Sequence, residues 1–183
     1  MKAAQQLENQ RLKDLASKHA DVRAAARAWG GPTDKNGITV TFKPQAQVDA
    51  DAGNLDTAHY RVEAIVTPGA TSDHKPDIRA EFSEGLGGSG LRQTIAHEGS
   101  HVEDDLAFLN SFNPATGAYN GALNVYHFDT EFKAFETGAG VKPYPMFRRG
   151  PNGYFQLEMY LWSAPSYRYI DYQLVFPKTT YPQ

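Results

Sequence analysis

Apolar residues recur at helical spacing most clearly between residues 89 and 109. Projected at about 100° per residue, Leu91, Ile95, Val102, Leu106 and Leu109 gather into one stripe. His97 and His101 fall together on a different face with Asp104 and Asp105 near them, and Glu98 lies at the border between the two faces. Three stretches ahead of this helix carry strand signals. Ile38-Thr39-Val40-Thr41-Phe42 and Ile78-Arg79-Ala80-Glu81-Phe82 alternate strictly, and residues 60–66 are β-branched and stop at Pro68-Gly69. Together they predict a small antiparallel or mixed sheet. Its last strand runs through the glycine-rich loop 85–90 into the helix. That loop has no Gly-Lys-Ser/Thr ending, so it does not read as a phosphate cradle.

The flanks are less regular. Residues 2–29 are rich in Ala, Gln, Lys, Arg and Leu and stop at Gly30-Gly31-Pro32, which predicts a helix with a stop signal. Its apolar positions (Leu7, Leu12, Leu15, Val22, Ala26, Trp29) are sparse, so the expectation is a partly exposed, linker-like segment over 1–31 and a catalytic-sized domain over 32–183. After the 89–109 helix comes a loop from Asn110 to Gly117. A second helix is predicted over 124–137, closed by Gly138, with Phe128, Phe132 and Phe135 on one face. Pro143, Pro145, Gly150, Pro151 and Gly153 then break the chain. The tail, 154–162 and 166–176, reads as two aromatic strands or a helix followed by a strand, and the alternation of Phe155, Leu157, Met159 and Leu161 favours strand. This order of elements predicts an α+β fold.

With 183 residues the chain fits one domain with a sizeable core. A net charge of −3 offers no basic surface for nucleic acid or anionic lipid. No apolar run approaches the length of a membrane span. The absence of cysteine excludes disulfides and a thiolate metal site. Residues 1–8 contain a lysine but no apolar h-region, so they do not read as a signal peptide. The expectation is a protein that leaves its cell by a secretion system within a larger polypeptide and acts outside the producer.

The chemistry concentrates in His97-Glu98-Gly99-Ser100-His101. On a helix, residues i and i+4 share a face about one turn apart, so both imidazoles reach one small cation. Zinc takes neutral imidazole nitrogen, and a catalytic zinc keeps one position open. Glu98 projects beside the pair, where it can accept a proton from water. A third protein ligand is required, and no histidine follows until His127. Candidates lie on the second helix: Glu131, thirty residues beyond His101, with Asp129, Glu136 and His127 as alternatives. His127 also stands four residues before Glu131, which suits an outer partner of that carboxylate.

The pattern His97-Glu98-x-x-His101 followed by Glu131-x-x-Ala134-Phe135-Glu136 resembles the zincin metallopeptidases of the gluzincin type. The resemblance covers residues 89–137. The gap before the glutamate is longer than in many members, and Phe135 stands where an aspartate is usual. The resemblance implies a small zincin-like α+β domain with a mixed sheet, an active-site helix and a glutamate-bearing helix. It implies Zn2+ held by His97, His101 and Glu131, with Glu98 as general base in a zinc-dependent endopeptidase. A protein or peptide substrate would lie along an exposed sheet edge, 60–66 or 78–82. Tyr144, Tyr154, Tyr160 and Tyr167 are candidate oxyanion donors, and Asp104 and Asp105 candidate partners for a ligand imidazole. The small size and linker-like N-terminus are similar to metallopeptidase domains of bacterial polymorphic toxins, effectors that would carry a cognate inhibitor or immunity protein. Two rival expectations are a zinc amidase acting on a cell-wall component and a non-catalytic zincin-like binding domain.

Overall fold

Strand β3 (Ile78–Ser83) is the axis of the sheet, and its alternation explains why. Ile78, Ala80 and Phe82 are fully buried while Arg79 between them is exposed. Strand β1 (Ile38–Lys43) pairs parallel to it with Ile38 opposite Ile78. Strand β2 (Ala64–Thr67) pairs antiparallel on the other side, with Ala64 opposite Phe82 and Val66 opposite Ala80. The result is a mixed sheet of order β1-β3-β2 in an α+β fold. Val40, Phe42, Ala64 and Val66 turn inward with β3, and the Phe42 ring stacks on Phe82 at 5.4 Å. The computed structural model describes residues 2–52, 62–124, 127–142, 147–149 and 155–157. Because β3 is paired on both sides, residues 78–82 are not a free edge; of the two strands expected to offer one, only β2 does. β2 begins at Ala64, not Tyr60, and residues 60 and 61 lie outside the described residues.

The remaining elements are helices α1 (Lys2–Leu15), α2 (Ala20–Ala28), α3 (Gln45–Asp51), α4 (Gly88–Leu109) and α5 (His127–Val141), a 3-10 turn at Gly121–Leu123, and the antiparallel pair β4 (Phe147–Arg149) and β5 (Phe155–Leu157). β5 falls inside the alternating tail segment 154–162; residues 166–176 lie outside the described residues. Among the described residues, no helix is long and apolar enough to cross a membrane. Helix α4 covers the inner sheet face as its stripe predicts: Leu91, Ile95, Val102 and Leu109 are buried, with Leu106 partly so.

Three expectations change. The single N-terminal helix is two, broken after Leu15. At the break the Ser17 hydroxyl accepts from His19 N–H at 3.2 Å and the Ser17 carbonyl accepts Arg23 Nη1 at 2.7 Å. Serine thereby offers the backbone an alternative to helical bonding. Nor is this region linker-like: Val22, Ala25, Ala26 and Trp29 are buried, and α2 packs against both α4 and α5. Its core face is built from alanines, so it carries little hydrophobic signal while permitting close approach. α3 is the second change, a polar heptapeptide supported by Gln45–Asp49 and Gln47–Asp51 pairs at i, i+4, with Val48 fully buried. Third, α5 does not stop at Gly138 but runs through Gly140 to Val141. A Cβ on Gly140 would lie 2.9 Å from Val22 Cγ2, so that glycine serves the contact with α2 and not a helix end.

Gly99, inside the His-Glu-x-x-His motif, has the same role on α4. An added Cβ would lie 2.6 Å from Trp29 Nε1 and 3.0 Å from both Ala25 Cβ and Ala25 O. Trp29 Nε1 donates to the Ile95 carbonyl at 3.0 Å, holding the two helices at this spacing. Gly99→Ala would gain about 1 kcal/mol in helix propensity, but overpacking a rigid backbone contact costs about 1–3 kcal/mol. We expect Gly99→Ala to be net destabilising, seen as a lower midpoint in urea or thermal unfolding. A midpoint at or above wild type would show that the α2–α4 contact relaxes freely.

Candidate metal centre

Helices α4 and α5 bring the ligand residues together. His97 and His101 stand one turn apart on α4, as their spacing dictates, and their Nε2 atoms are 3.3 Å from each other. Glu131, on α5, reaches both: Oε2 lies 3.5 Å from His97 Nε2, and Oε1 lies 3.4 Å from His101 Nε2. All three side chains are largely buried, with 12%, 14% and 20% of their surface exposed. Among the described residues this is the group of histidine and carboxylate side chains close enough to hold one metal ion.

The geometry fits zinc. Zinc–nitrogen and zinc–oxygen bonds of about 2.0–2.2 Å in a tetrahedron place ligand atoms roughly 3.3–3.5 Å apart. The two Nε2 atoms are 3.3 Å apart, and Glu131 turns one carboxylate oxygen to each ring, Oε2 at 3.5 Å from His97 and Oε1 at 3.4 Å from His101, each close to that edge length. One donor atom from each of the three residues lies within 4.8 Å of the others. Nitrogen–nitrogen–oxygen donors with one open position are the composition of a catalytic zinc site.

Packing fixes the ligands from both helices. The edge of Phe135 meets the His97 ring at a centroid distance of 4.5 Å and an interplanar angle of 75°. Phe135 therefore orients an imidazole through apolar contact at the position where an aspartate was expected. His97 Nδ1 is buried with no hydrogen-bond partner among the described residues. Thr130 and Ala134, on either side of Glu131 in α5, are buried as well. Lys133 makes a polar tie between the helices, its Nζ 2.9 Å from Glu103 Oε2 and 2.5 Å from Asp104 Oδ1. Asp104 is thus engaged by Lys133 and not by an imidazole. Asp105 is buried one turn beyond His101, and its charge acts on that ring.

Of the alternative third ligands, Glu136 is exposed on α5 and outside the group. His127 and Asp129 belong to α5, but their side chains lie outside the described residues, as do Tyr144, Tyr154, Tyr160 and Tyr167. One contact was not foreseen. The Glu63 carboxylate accepts a hydrogen bond from Thr94 Oγ1 at 2.7 Å, one turn before Glu98 on α4. Nothing in the pattern of residues 60–66 distinguishes Glu63 from an ordinary strand glutamate, because the contact spans 31 positions.

The electrostatics follow from burial. Glu98 is 7% exposed, and desolvation pushes its carboxyl above the usual range. The positive charges of His97 and His101 pull it down, while Glu131 and Glu63 add to the rise. A carboxylate shifted upward in this way holds a proton more readily than an exposed glutamate does. For His101, burial opposes the charged form, but the Glu131 carboxylate outweighs it, with Glu98 and Asp105 adding to the effect. The ring is pushed up to about 9.

This shift has a definite sign. A histidine raised from 6.5 to about 9 stabilises the metal-free protein fully below pH 6.5, and that stabilisation is lost as pH rises towards 9. Metal needs the neutral ring, so one proton must leave on binding. Zinc affinity should therefore rise by about tenfold per pH unit between 6.5 and 9, while the thermal midpoint of the metal-free protein falls. Competition titrations with a chelator across that range would measure the slope; a flat profile would place the proton elsewhere.

Comparison of the chain with protein-family models, with curated proteins and with solved structures returned no match.

Proposed function

We propose that this protein is a zinc-dependent endopeptidase, with His97, His101 and Glu131 as metal ligands and Glu98 as general base. The observation that carries the reading is the meeting, from two helices, of two imidazoles 3.3 Å apart at Nε2 with one carboxylate, whose Oε2 lies 3.5 Å from His97 Nε2 and whose Oε1 lies 3.4 Å from His101 Nε2. Zinc bound there supplies Lewis acidity, acidifying water and polarising a carbonyl. The chain's own residues do the rest. Glu98, in the second position of the motif and almost fully buried, accepts the proton from water and returns it to the leaving amine. Burial supports this role by holding its proton affinity above that of an exposed glutamate.

A peptide substrate is favoured by the neighbouring sheet edge. β2 contacts α4 and, among the described residues, pairs with β3 on one side only, so the other side of Ala64–Thr67 offers backbone donors and acceptors to an extended chain. Side chains and backbone on that path orient the scissile bond over the Glu98 face of α4. Phe135 and Ala134 shield the His97 side of the centre from water.

Glu98→Gln should retain stoichiometric zinc and lower peptide turnover by about 10²–10⁴-fold, since it removes a base and no ligand. Glu131→Ala should weaken zinc binding by at least about a hundredfold, more than the loss of an outer-shell partner. Zinc content by atomic spectroscopy and cleavage of a peptide library measure both. Full activity in Glu98→Gln would overturn the general-base role. Stoichiometric zinc in Glu131→Ala would move the third ligand to another side chain.

A further inference from the structure

A carboxylate that the metal ligand set does not use stands one helical turn from it. Glu63 is the residue before β2, and it accepts a hydrogen bond from Thr94 Oγ1 at 2.7 Å. Thr94 precedes Glu98 by four positions and His101 by seven, so the three share one face of α4. The hydrogen bond therefore holds Glu63 at Thr94, which stands about 6 Å before Glu98 along the helix axis on the face that carries the motif. Thr94 is buried, whereas Glu63 itself is exposed. Its orientation is fixed on one side and open to ligand on the other.

The charge balance makes this carboxylate distinctive. Glu103 and Asp104 on α4 are neutralised by Lys133, and Glu131 faces the two imidazoles. Asp14 and Arg92 pair at 2.7 Å near the start of the same helix. Glu63 pairs with no cation among the described residues; its partners are the Thr94 hydroxyl and, through its carbonyl, the Ser83 N–H at 2.9 Å. That backbone bond continues the β2–β3 pairing one residue beyond the strand. The residue before Glu63 is held by α3, since Val62 N–H donates to Asp49 Oδ1 at 3.3 Å and the Val62 carbonyl accepts from Gln45 Nε2 at 2.7 Å. A peptide added along Ala64–Thr67 would therefore end beside Glu63.

We infer that Glu63 is a specificity-determining residue of this centre, its carboxylate seating a lysine or arginine side chain of the substrate peptide beside the scissile bond. This rests on the endopeptidase reading above. The Thr94 hydrogen bond occupies one lone pair of the carboxylate and leaves others for an ammonium or guanidinium group. A purely structural Glu63, anchoring β2 to α4, would need only the hydrogen-bond acceptor. Glu63→Gln keeps an acceptor oxygen and the shape but removes the charge, and so separates the two roles.

The test uses zinc-loaded full chain and pairs of peptides that differ only in a lysine or a norleucine at each position flanking the bond that wild type cuts. At one of those positions wild type should favour lysine in kcat/KM by about fivefold, the discrimination expected of a partly exposed ion pair. In Glu63→Gln that ratio should fall to about one, and in Glu63→Lys a glutamate peptide should be preferred. Equilibrium binding of the same pairs to Glu98→Gln, with and without Glu63→Gln, should repeat the pattern without turnover. A lysine preference that Glu63→Gln leaves in place, or an equal loss on both peptides, overturns this inference alone. A zinc-loaded wild type that cuts no peptide overturns the endopeptidase reading, and this one with it.

Discussion

Two imidazoles and a carboxylate meet in this protein, each Nε2 within 3.5 Å of the other and of one Glu131 oxygen, and they come from two helices that must be held in register for that to happen. The constraint is severe because the groups are largely out of water. At such distances they tolerate little drift: an ångström of slide between α4 and α5 would part the carboxylate from the rings. Among the described residues, α4 and α5 accordingly form the most extensive contact between two elements. Ala134 lets the backbones come close, Phe135 abuts the His97 ring, and Lys133 ties α5 to Glu103 and Asp104. Glu131 and Lys133, two residues apart on α5, thus engage α4 through opposite charges.

The opposite side of α4 is held with equal closeness. Gly99 lies within the motif, yet its lack of a side chain answers to α2, because Trp29 and Ala25 fill the space a Cβ would take. The Trp29 indole donates to the Ile95 carbonyl, two residues before His97, so the backbone that carries the ligands is clamped from behind. Asp14 and Arg92 add a tie from α1, with Asp14 almost fully buried. Burial pushes the Asp14 carboxyl up despite the guanidinium beside it, so this pair constrains position at an electrostatic cost. The candidate centre is therefore backed by helices that contribute none of its three residues.

Electrostatics at the centre are unbalanced without a cation. Glu98, Asp105 and Glu131 all face the histidine pair, and their combined field is what keeps His101 protonated to about pH 9 in the metal-free protein. On the reading proposed above, a divalent ion would relieve that imbalance by replacing a proton with a stronger positive charge. Glu63, a turn away, remains as negative charge directed at solvent, where a cationic side chain can meet it.

Local pattern determined a good deal by itself. Alternation placed β1 and β3, and the 3.6-residue period placed α4 to within a residue of its ends and put the two histidines on one face. Those features depend on neighbours within one turn or one strand, which sequence records directly. Glu131 could be proposed from chain order, but its meeting with both imidazoles depends on how α5 lies across α4. Tertiary packing alone decided the rest. Strand order made β3 central and β2 an edge, because register between distant strands follows from what each buries. It drew α2 into the core through alanines too small to signal burial, and it carried α5 past Gly138 to Val141, where Gly140 answers to a neighbouring helix and not to a cap. It also set Glu63 against Thr94, a contact across 31 residues that no local period encodes.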